Sequence, residues 1–252
     1  MKIAFLASAR PAAQLALEEL TQRYGQTALP NADFIVAIGG DGTTLEALQA
    51  TMAISPKPVI AMRTQSSVGF LGNALRIDDL VDRLRAGRTI TLNPLRADIE
   101  DTAGAHRTLF GINEIVLFRQ RLQTAKLQVR CAGKPAAIEV VGDGLLLATP
   151  LGSTAYNWAV GGPRLPLGSN LLTLTGIAVR RPADWSPMIL DDRATVELEV
   201  VEPVPHPVRA ETSTDSVPNV RRACLSCDRD HPLLLLFDPE VLSGYLSWPG
   251  RR

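Results

Sequence analysis

The stretch Phe34-Ile35-Val36-Ala37-Ile38-Gly39-Gly40-Asp41-Gly42-Thr43 carries more information than any other in this chain. Its first five residues are uninterrupted apolar side chains, the pattern of a strand buried on both faces of a parallel sheet. Three glycines around one carboxylate follow directly. Glycine reaches positive φ and lacks a Cβ, so this backbone is built for something to approach it closely. Such a turn can aim several N–H groups into a concavity that suits phosphate oxygens. The segment Thr43-Thr44-Leu45-Glu46-Ala47-Leu48-Gln49-Ala50 reads as a helix, which sets the turn at a positive helix N-terminus. A carboxylate placed there repels phosphate unless it holds a metal or takes a proton. That conflict points to phosphoryl transfer.

Outward from this stretch, the first third of the chain alternates strand and helix patterns. Lys2 to Ala7 reads as a strand, and Pro11 to Tyr24 as a helix with Ala13, Leu17, Leu20 and Tyr24 on one face. Pro58-Val59-Ile60-Ala61 is a short strand, and Asp78 to Ala86 a helix with Leu80, Val81 and Leu84 inward. The alternation predicts an α/β layer with ligands at the carboxyl ends of its strands, where Gly39 to Thr43 stands. After Asn93-Pro94 the texture changes. Short β-like runs follow at 97–100, 112–118, 126–130, 138–141, 144–148, 171–175 and 195–201, with one short helical turn at 155–159. These predict a mostly β second domain. The expected boundaries are 1–92 for the α/β nucleotide-binding domain and 93–237 for the β-rich one. The segment 238–252 is open to returning to the first domain, and the apolar run Leu233–Phe237 to joining either.

Composition narrows the function classes. Lys plus Arg equals Asp plus Glu at 26 each in 252 residues, so no overall field draws nucleic acid or an anionic membrane. An anion site must therefore be local. No apolar run approaches the ~20 residues of a membrane span, and the Met1–Ala7 run is too short for a signal peptide. Three cysteines argue against a disulfide framework and for a cytoplasmic location.

A second glycine-rich segment, Gly142-Asp143-Gly144, precedes Ala148-Thr149-Pro150-Leu151-Gly152-Ser153-Thr154-Ala155-Tyr156-Asn157. Hydroxyls and small residues before a helix start make another polar, backbone-rich surface. Between the two glycine segments lies Asn113-Glu114, a polar pair inside the β run Gly111 to Phe118. Polar side chains in a strand need partners, which a bound ligand or nearby backbone groups can supply.

The ordered set Gly39-Gly40-Asp41-Gly42-Thr43, Val68-Gly69-Phe70-Leu71, Asn113-Glu114, Gly142-Asp143-Gly144 with Thr149 to Tyr156, and Gly161-Gly162-Pro163 resembles the signature of the NAD kinases. The first motif alone has close variants in diacylglycerol-type lipid kinases and phosphofructokinases; all five in this order are highly specific. The resemblance implies transfer of the terminal phosphoryl group of ATP to the 2′-hydroxyl of the adenosine ribose of NAD, giving NADP. It implies a Rossmann-like α/β N-terminal domain and a β-sandwich-like C-terminal domain, with the site in the cleft between them. On that resemblance Asp41 is the proton acceptor, and Gly40, Gly42 and Thr43 cradle phosphates. Asn113 and Glu114 meet adenine and ribose hydroxyls, and Asp143 lies near the nicotinamide end. Thr154, Ala155 and Tyr156 line the dinucleotide pocket, and Gly39, Phe70, Ser153 and Asn157 complete the cofactor-binding set. Mg²⁺ accompanies ATP, with no residue assigned as a metal ligand. The implied assembly is a homodimer or homotetramer, with neither nucleic acid nor membrane as partner.

The chain departs from the family pattern at Leu151, at Val141 where many members carry a basic residue, at Thr64-Gln65-Ser66, and at Gly176-Ile177. None of these removes the proposed base. A catalytically weakened NAD(P)-binding regulator and a diacylglycerol-type kinase are the alternative readings. Cys224-x-x-Cys227 lacks the second ligand pair of a zinc site. No GxxxxGK[ST] loop and no GxGxxG after a strand is present, so neither a Walker lysine nor a dehydrogenase fingerprint applies.

Overall fold

The computed structural model describes residues 1–64, 71–131 and 136–246, with backbone alone for 243–246. The chain forms two compact units: Met1–Leu92 together with the residues from His231 onward, and Asn93–Asp230.

In the first unit, β1 (Ile3–Ala7), β2 (Phe34–Gly39), β3 (Pro58–Arg63) and the return strand Leu233–Phe237 lie side by side and parallel. The short β4 (Asn73–Ala74) pairs parallel with β3, and β5 (Arg88–Leu92) closes the far edge antiparallel to the return strand. Helices α1 (Pro11–Tyr24), α2 (Asp41–Met52) and α3 (Leu80–Ala86) connect them. Pro11 starts α1, where a missing N–H is harmless. Gly25, at φ 76°, ends it in a conformation that side chains resist. Ala13, Ala16 and Leu20 of α1, with Leu80 and Leu84 of α3, pack on the sheet face carrying Val36, Ile38, Ile60 and Met62. Burying each large apolar side chain contributes about 1.5–3 kcal/mol, and this face is sealed.

The boundary expected at 237/238 lies instead at Asp230/His231. Leu233–Phe237 is apolar throughout and enters the first sheet between β3 and β5, where Leu233, Leu235 and Phe237 are fully buried. A run with no polar alternation fits a sheet covered on both faces better than a half-solvated one.

The second unit is antiparallel. Its first sheet contains β6 (Leu95–Asp101), β7 (His106–Gly111), β9 (Ala125–Cys131), β10 (Ile138–Gly142), β14 (Val196–Val200) and β17 (Val220–Cys227), in the order β10-β9-β14-β17-β6-β7. Its second contains β8 (Glu114–Arg119), β11 (Gly144–Ala148), β12 (Leu171–Ile177), β13 (Met188–Asp191), β15 (Val208–Glu211) and β16 (Ser216–Val217), in the order β13-β12-β11-β8-β15-β16. Alternate residues such as Ala125, Leu127 and Val129 on one sheet, and Ile115, Leu117, Leu145 and Leu147 on the other, form one shared core. Cys224 and Cys227 stand three apart on β17. Successive side chains of a strand alternate faces, so these two diverge. Burial raises both thiols above their usual range, Cys227 to about 11.

Candidate active site

In the first unit, β2 delivers the glycine turn at its carboxyl end. A side chain at Gly39, whose φ is 157°, would bring a Cβ within 2.6 Å of the Thr43 Oγ1, so the strand end and helix start nest only around glycine. Gly40 is the N-cap of α2 and Asp41 its first residue. The helix dipole favours an acid there. The Asp41 Oδ1 accepts a hydrogen bond from the Leu71 backbone N–H at 3.1 Å. Around Gly42 nothing among the described residues lies within 4 Å of a would-be Cβ. Thr43 is buried, and Thr44 turns its N–H and hydroxyl to the Gly40 carbonyl at 3.2 and 3.3 Å. Val68, Gly69 and Phe70, like Gln65, Ser66 and Trp248, lie outside the described residues.

In the second unit, Asn113 and Glu114 mark a break between β7 and β8, not the middle of a continuous strand. The Asn113 carbonyl accepts the Thr149 N–H at 2.9 Å, and the Thr149 hydroxyl donates to the Ile112 carbonyl at 2.8 Å. Gly152 rests directly on this corner, where an added Cβ would lie 2.1 Å from the Asn113 oxygen. Both sides of that contact are backbone, so neither yields. Gly152→Ala is therefore expected to lower stability by about 1–3 kcal/mol, as thermal unfolding will show.

Beyond Gly152, Ser153 is fully buried. Its hydroxyl donates to the Pro150 carbonyl at 2.7 Å and accepts the Leu165 N–H at 2.9 Å. Asn157 is equally buried, donating to the Ser153 and Pro163 carbonyls and accepting from the Thr175 hydroxyl at 2.6 Å. Gly162 packs flat on it; a Cβ there would fall 2.0 Å from its Oδ1. Thr154 donates to the Leu151 carbonyl at 3.3 Å, whereas Ala155 and Tyr156 are exposed. The loop thus turns Ser153 and Asn157 inward, where they fix its path, and leaves Ala155 and Tyr156 facing solvent.

Glu114, Phe118, Tyr156, Arg209, Glu211 and Thr212 line a pocket of about 380 Å³ in this unit. The Glu114 Oε2 and the Asn113 Oδ1 are buried without a hydrogen-bond partner among the described residues. Burial lifts the Glu114 carboxyl to about 7. Tyr156 is also raised, by burial first and then by the charges of Asp143, Glu114 and Glu211. Asp143 stands between two glycines that admit close backbone: a Cβ on Gly144 would meet the Leu117 carbonyl at 2.0 Å, and one on Gly142 the Ala178 carbonyl at 2.9 Å. Its Oδ1 pairs with the Arg119 Nε at 2.6 Å. Arg209 pairs with Glu211 at 2.6 Å and covers the Phe118 ring at 5.5 Å. Arg119, Arg209, Glu211 and the Leu71 amide were not among the residues expected from sequence. The alternation Val208-Arg209-Ala210-Glu211 was the one signal that places two of them on a common strand face.

Comparison with solved structures defines the class of fold first. Yeast NADH kinase complexed with NADH superposes with a TM-score of 0.82 at 16% identity, over 100% of this chain and 89% of that one. An NAD kinase from Archaeoglobus fulgidus in complex with ATP gives 0.77 at 20% identity, over 97% and 96%. In sequence, the model of the ATP-NAD kinase C-terminal domain matches residues 112–222. The NAD kinase of Hyphomonas neptunium is 41% identical over 95% of this chain and 93% of its own length. That of Xanthomonas oryzae pv. oryzae is 40% identical over 95% and 93%. The chain belongs to the NAD kinase family.

Proposed function

We propose that this chain transfers the terminal phosphoryl group of ATP to the 2′-hydroxyl of the adenosine ribose of NAD, giving NADP and ADP. The observation that carries the reading is Asp41, an acid on the first turn of α2 among three glycines, in a chain that matches NAD kinases over nearly its whole length. A purely phosphate-binding turn gains nothing from an added negative charge. A proton acceptor explains it.

In this mechanism the ribose oxygen forms a bond to the terminal phosphorus as the bond to the ADP oxygen breaks, and the hydroxyl proton passes to the Asp41 carboxylate. A weak base suffices, because phosphorus–oxygen cleavage runs ahead of deprotonation in a loose transition state and positioning does most of the work. The N-terminal amides around Gly40 and Gly42 hold phosphate oxygens, with Gly39 and Thr43 shaping the turn. Asn113 and Glu114, whose buried oxygens lack hydrogen-bond partners among the described residues, receive adenine and ribose donors. Ala155 and Tyr156 line the dinucleotide, Asp143 stands towards the nicotinamide, and Ser153 and Asn157 keep the loop in shape. Among the described residues no group of three or more His, Cys, Asp or Glu forms a metal cluster. A magnesium ion would arrive with the triphosphate, with no side chain assigned as its ligand. When bound, Mg²⁺ neutralises charge on the transferred group.

No helix among the described residues is long and apolar enough to cross a membrane. A cytoplasmic homodimer or homotetramer is the working form implied by the family, and analytical sedimentation checks it. Purified protein with MgATP and NAD is expected to accumulate NADP, read by coupling to an NADP-specific dehydrogenase. NAD binding without any NADP formation would instead favour a regulatory binding protein.

A further inference from the structure

The Asp41 carboxylate accepts a hydrogen bond from a backbone amide, that of Leu71. What holds that amide is therefore part of what aims the acid. The residues that follow Leu71 are fixed with unusual completeness. Gly72 lies so close to β3 that a Cβ would meet the Arg63 Cβ at 2.7 Å. Asn73 is 0% exposed. Its amide donates to the Ala61 carbonyl at 3.0 Å and reaches the Leu236 carbonyl at 3.5 Å, and its Oδ1 accepts the Asp238 backbone N–H at 2.8 Å. One side chain thus ties β4 to β3 and to the end of the return strand.

Arg83 completes the tie from α3. It is 5% exposed, and its guanidinium donates to the Ala74 and Arg76 carbonyls at 3.0 and 3.2 Å and to both Asp238 oxygens at 3.1 and 2.8 Å. A buried ion pair adds little net stability over apolar residues of the same volume, because desolvation offsets the attraction. Geometry is the better reason for one here. Seven directional bonds from a planar fork and an amide determine where the β4 backbone lies, which apolar packing leaves softer.

We propose that Asn73, Arg83 and Asp238 are positioning residues for Asp41, acting through the Leu71 amide. The inference rests on the reading of Asp41 as proton acceptor. It makes the return strand, which lies outside the matched segment 112–222, a requirement for turnover as well as for folding.

The test uses the whole chain and four variants. Asn73→Ala is expected to lower kcat about 10- to 100-fold, since a displacement near 1 Å at a reacting group has that effect. KM for NAD and for ATP should stay within about twofold, because binding geometry is not what the tie controls. The Leu71 amide should lose hydrogen-exchange protection while Val59 and Ile60 keep theirs. Asp238→Asn retains the backbone donor to Asn73 and one acceptor for Arg83, so its loss in kcat should be smaller; it decides the matter if Asn73→Ala fails to fold. Adding Asn73→Ala to Asp41→Asn should lower kcat by no more than about twofold further, since both act on one group. The proposal is overturned if the variants melt earlier but keep wild-type kcat per folded molecule, or if the Asn73→Ala loss is undiminished in the Asp41→Asn background. Near-normal turnover by Asp41→Asn alone would instead overturn the reading of Asp41, a separate result.

Discussion

Asp41→Asn is expected to lower kcat by roughly 10²–10⁴-fold, the usual contribution of a positioned proton acceptor. Asparagine has the same shape, and its carbonyl oxygen can still accept the Leu71 N–H that the carboxylate accepts at 3.1 Å. The substitution therefore removes charge and basicity while leaving the helix start and the glycine turn as they are. Binding should respond in the other direction. A carboxylate about 4 Å from a phosphate oxygen costs about 1 kcal/mol in water-like surroundings, so ATP should bind Asp41→Asn as well as wild type or somewhat better. Coupled NADP formation gives the rate, and calorimetric titration with ATP gives the affinity. A lost rate beside an unweakened affinity is the signature of a group that acts on the reaction. Equal losses in both would mean that Asp41 holds the turn together, and near-normal turnover would remove it from the mechanism.

The glycine turn was legible because its determinants are contiguous. A buried strand, three missing Cβ atoms and a helix start lie within ten residues, and no distant partner is needed to interpret them. The second unit was legible as β-rich for the same reason, through local alternation. What escaped detection depends on residues far apart. Arg83 sits on α3 among other charged residues, and its burial follows from Asp238, 155 positions later. Val220–Cys227 reads poorly as a strand because a bulge between Val220 and Arg222 breaks its alternation. The sequence also could not sort the polar residues of the loop after Thr149. Ser153 and Asn157 looked like ligand contacts, yet their hydrogen-bonding capacity is taken up by Pro150, Leu165, Pro163 and Thr175. Hydroxyls and amides look the same in sequence whether they face in or out.

Glu114→Gln is expected to make the protein more stable and less active, and the pH dependence of both effects has a definite sign. Burial raises the Glu114 carboxyl from 4.5 to about 7 in the folded state. Below 4.5 both folded and unfolded chains carry the proton, and the residue contributes no difference. Between 4.5 and about 7 the folded state binds more protons than the unfolded one, so stability falls as pH rises, and above 7 the full penalty applies. That penalty is on the order of 3 kcal/mol. Glutamine carries no charge to bury. Its melting temperature should exceed that of wild type by several degrees near pH 8 and match it near pH 4. Activity should move oppositely. On the proposed role, an ionised Glu114 accepts hydrogen bonds from ribose hydroxyls, so wild-type KM for NAD should fall as pH rises through about 7 with kcat nearly flat. Glu114→Gln should lose that pH dependence, and its kcat/KM for NAD should drop about 10- to 100-fold through a neutral, weaker acceptor. A carboxylate kept in an unfavourable place against the interest of the fold is the mark of a group retained for its ligand. If Glu114→Gln were less stable than wild type near pH 8, or bound NAD with unchanged pH dependence, the buried oxygen would have to be satisfied within the protein, and the dinucleotide would have to be held elsewhere.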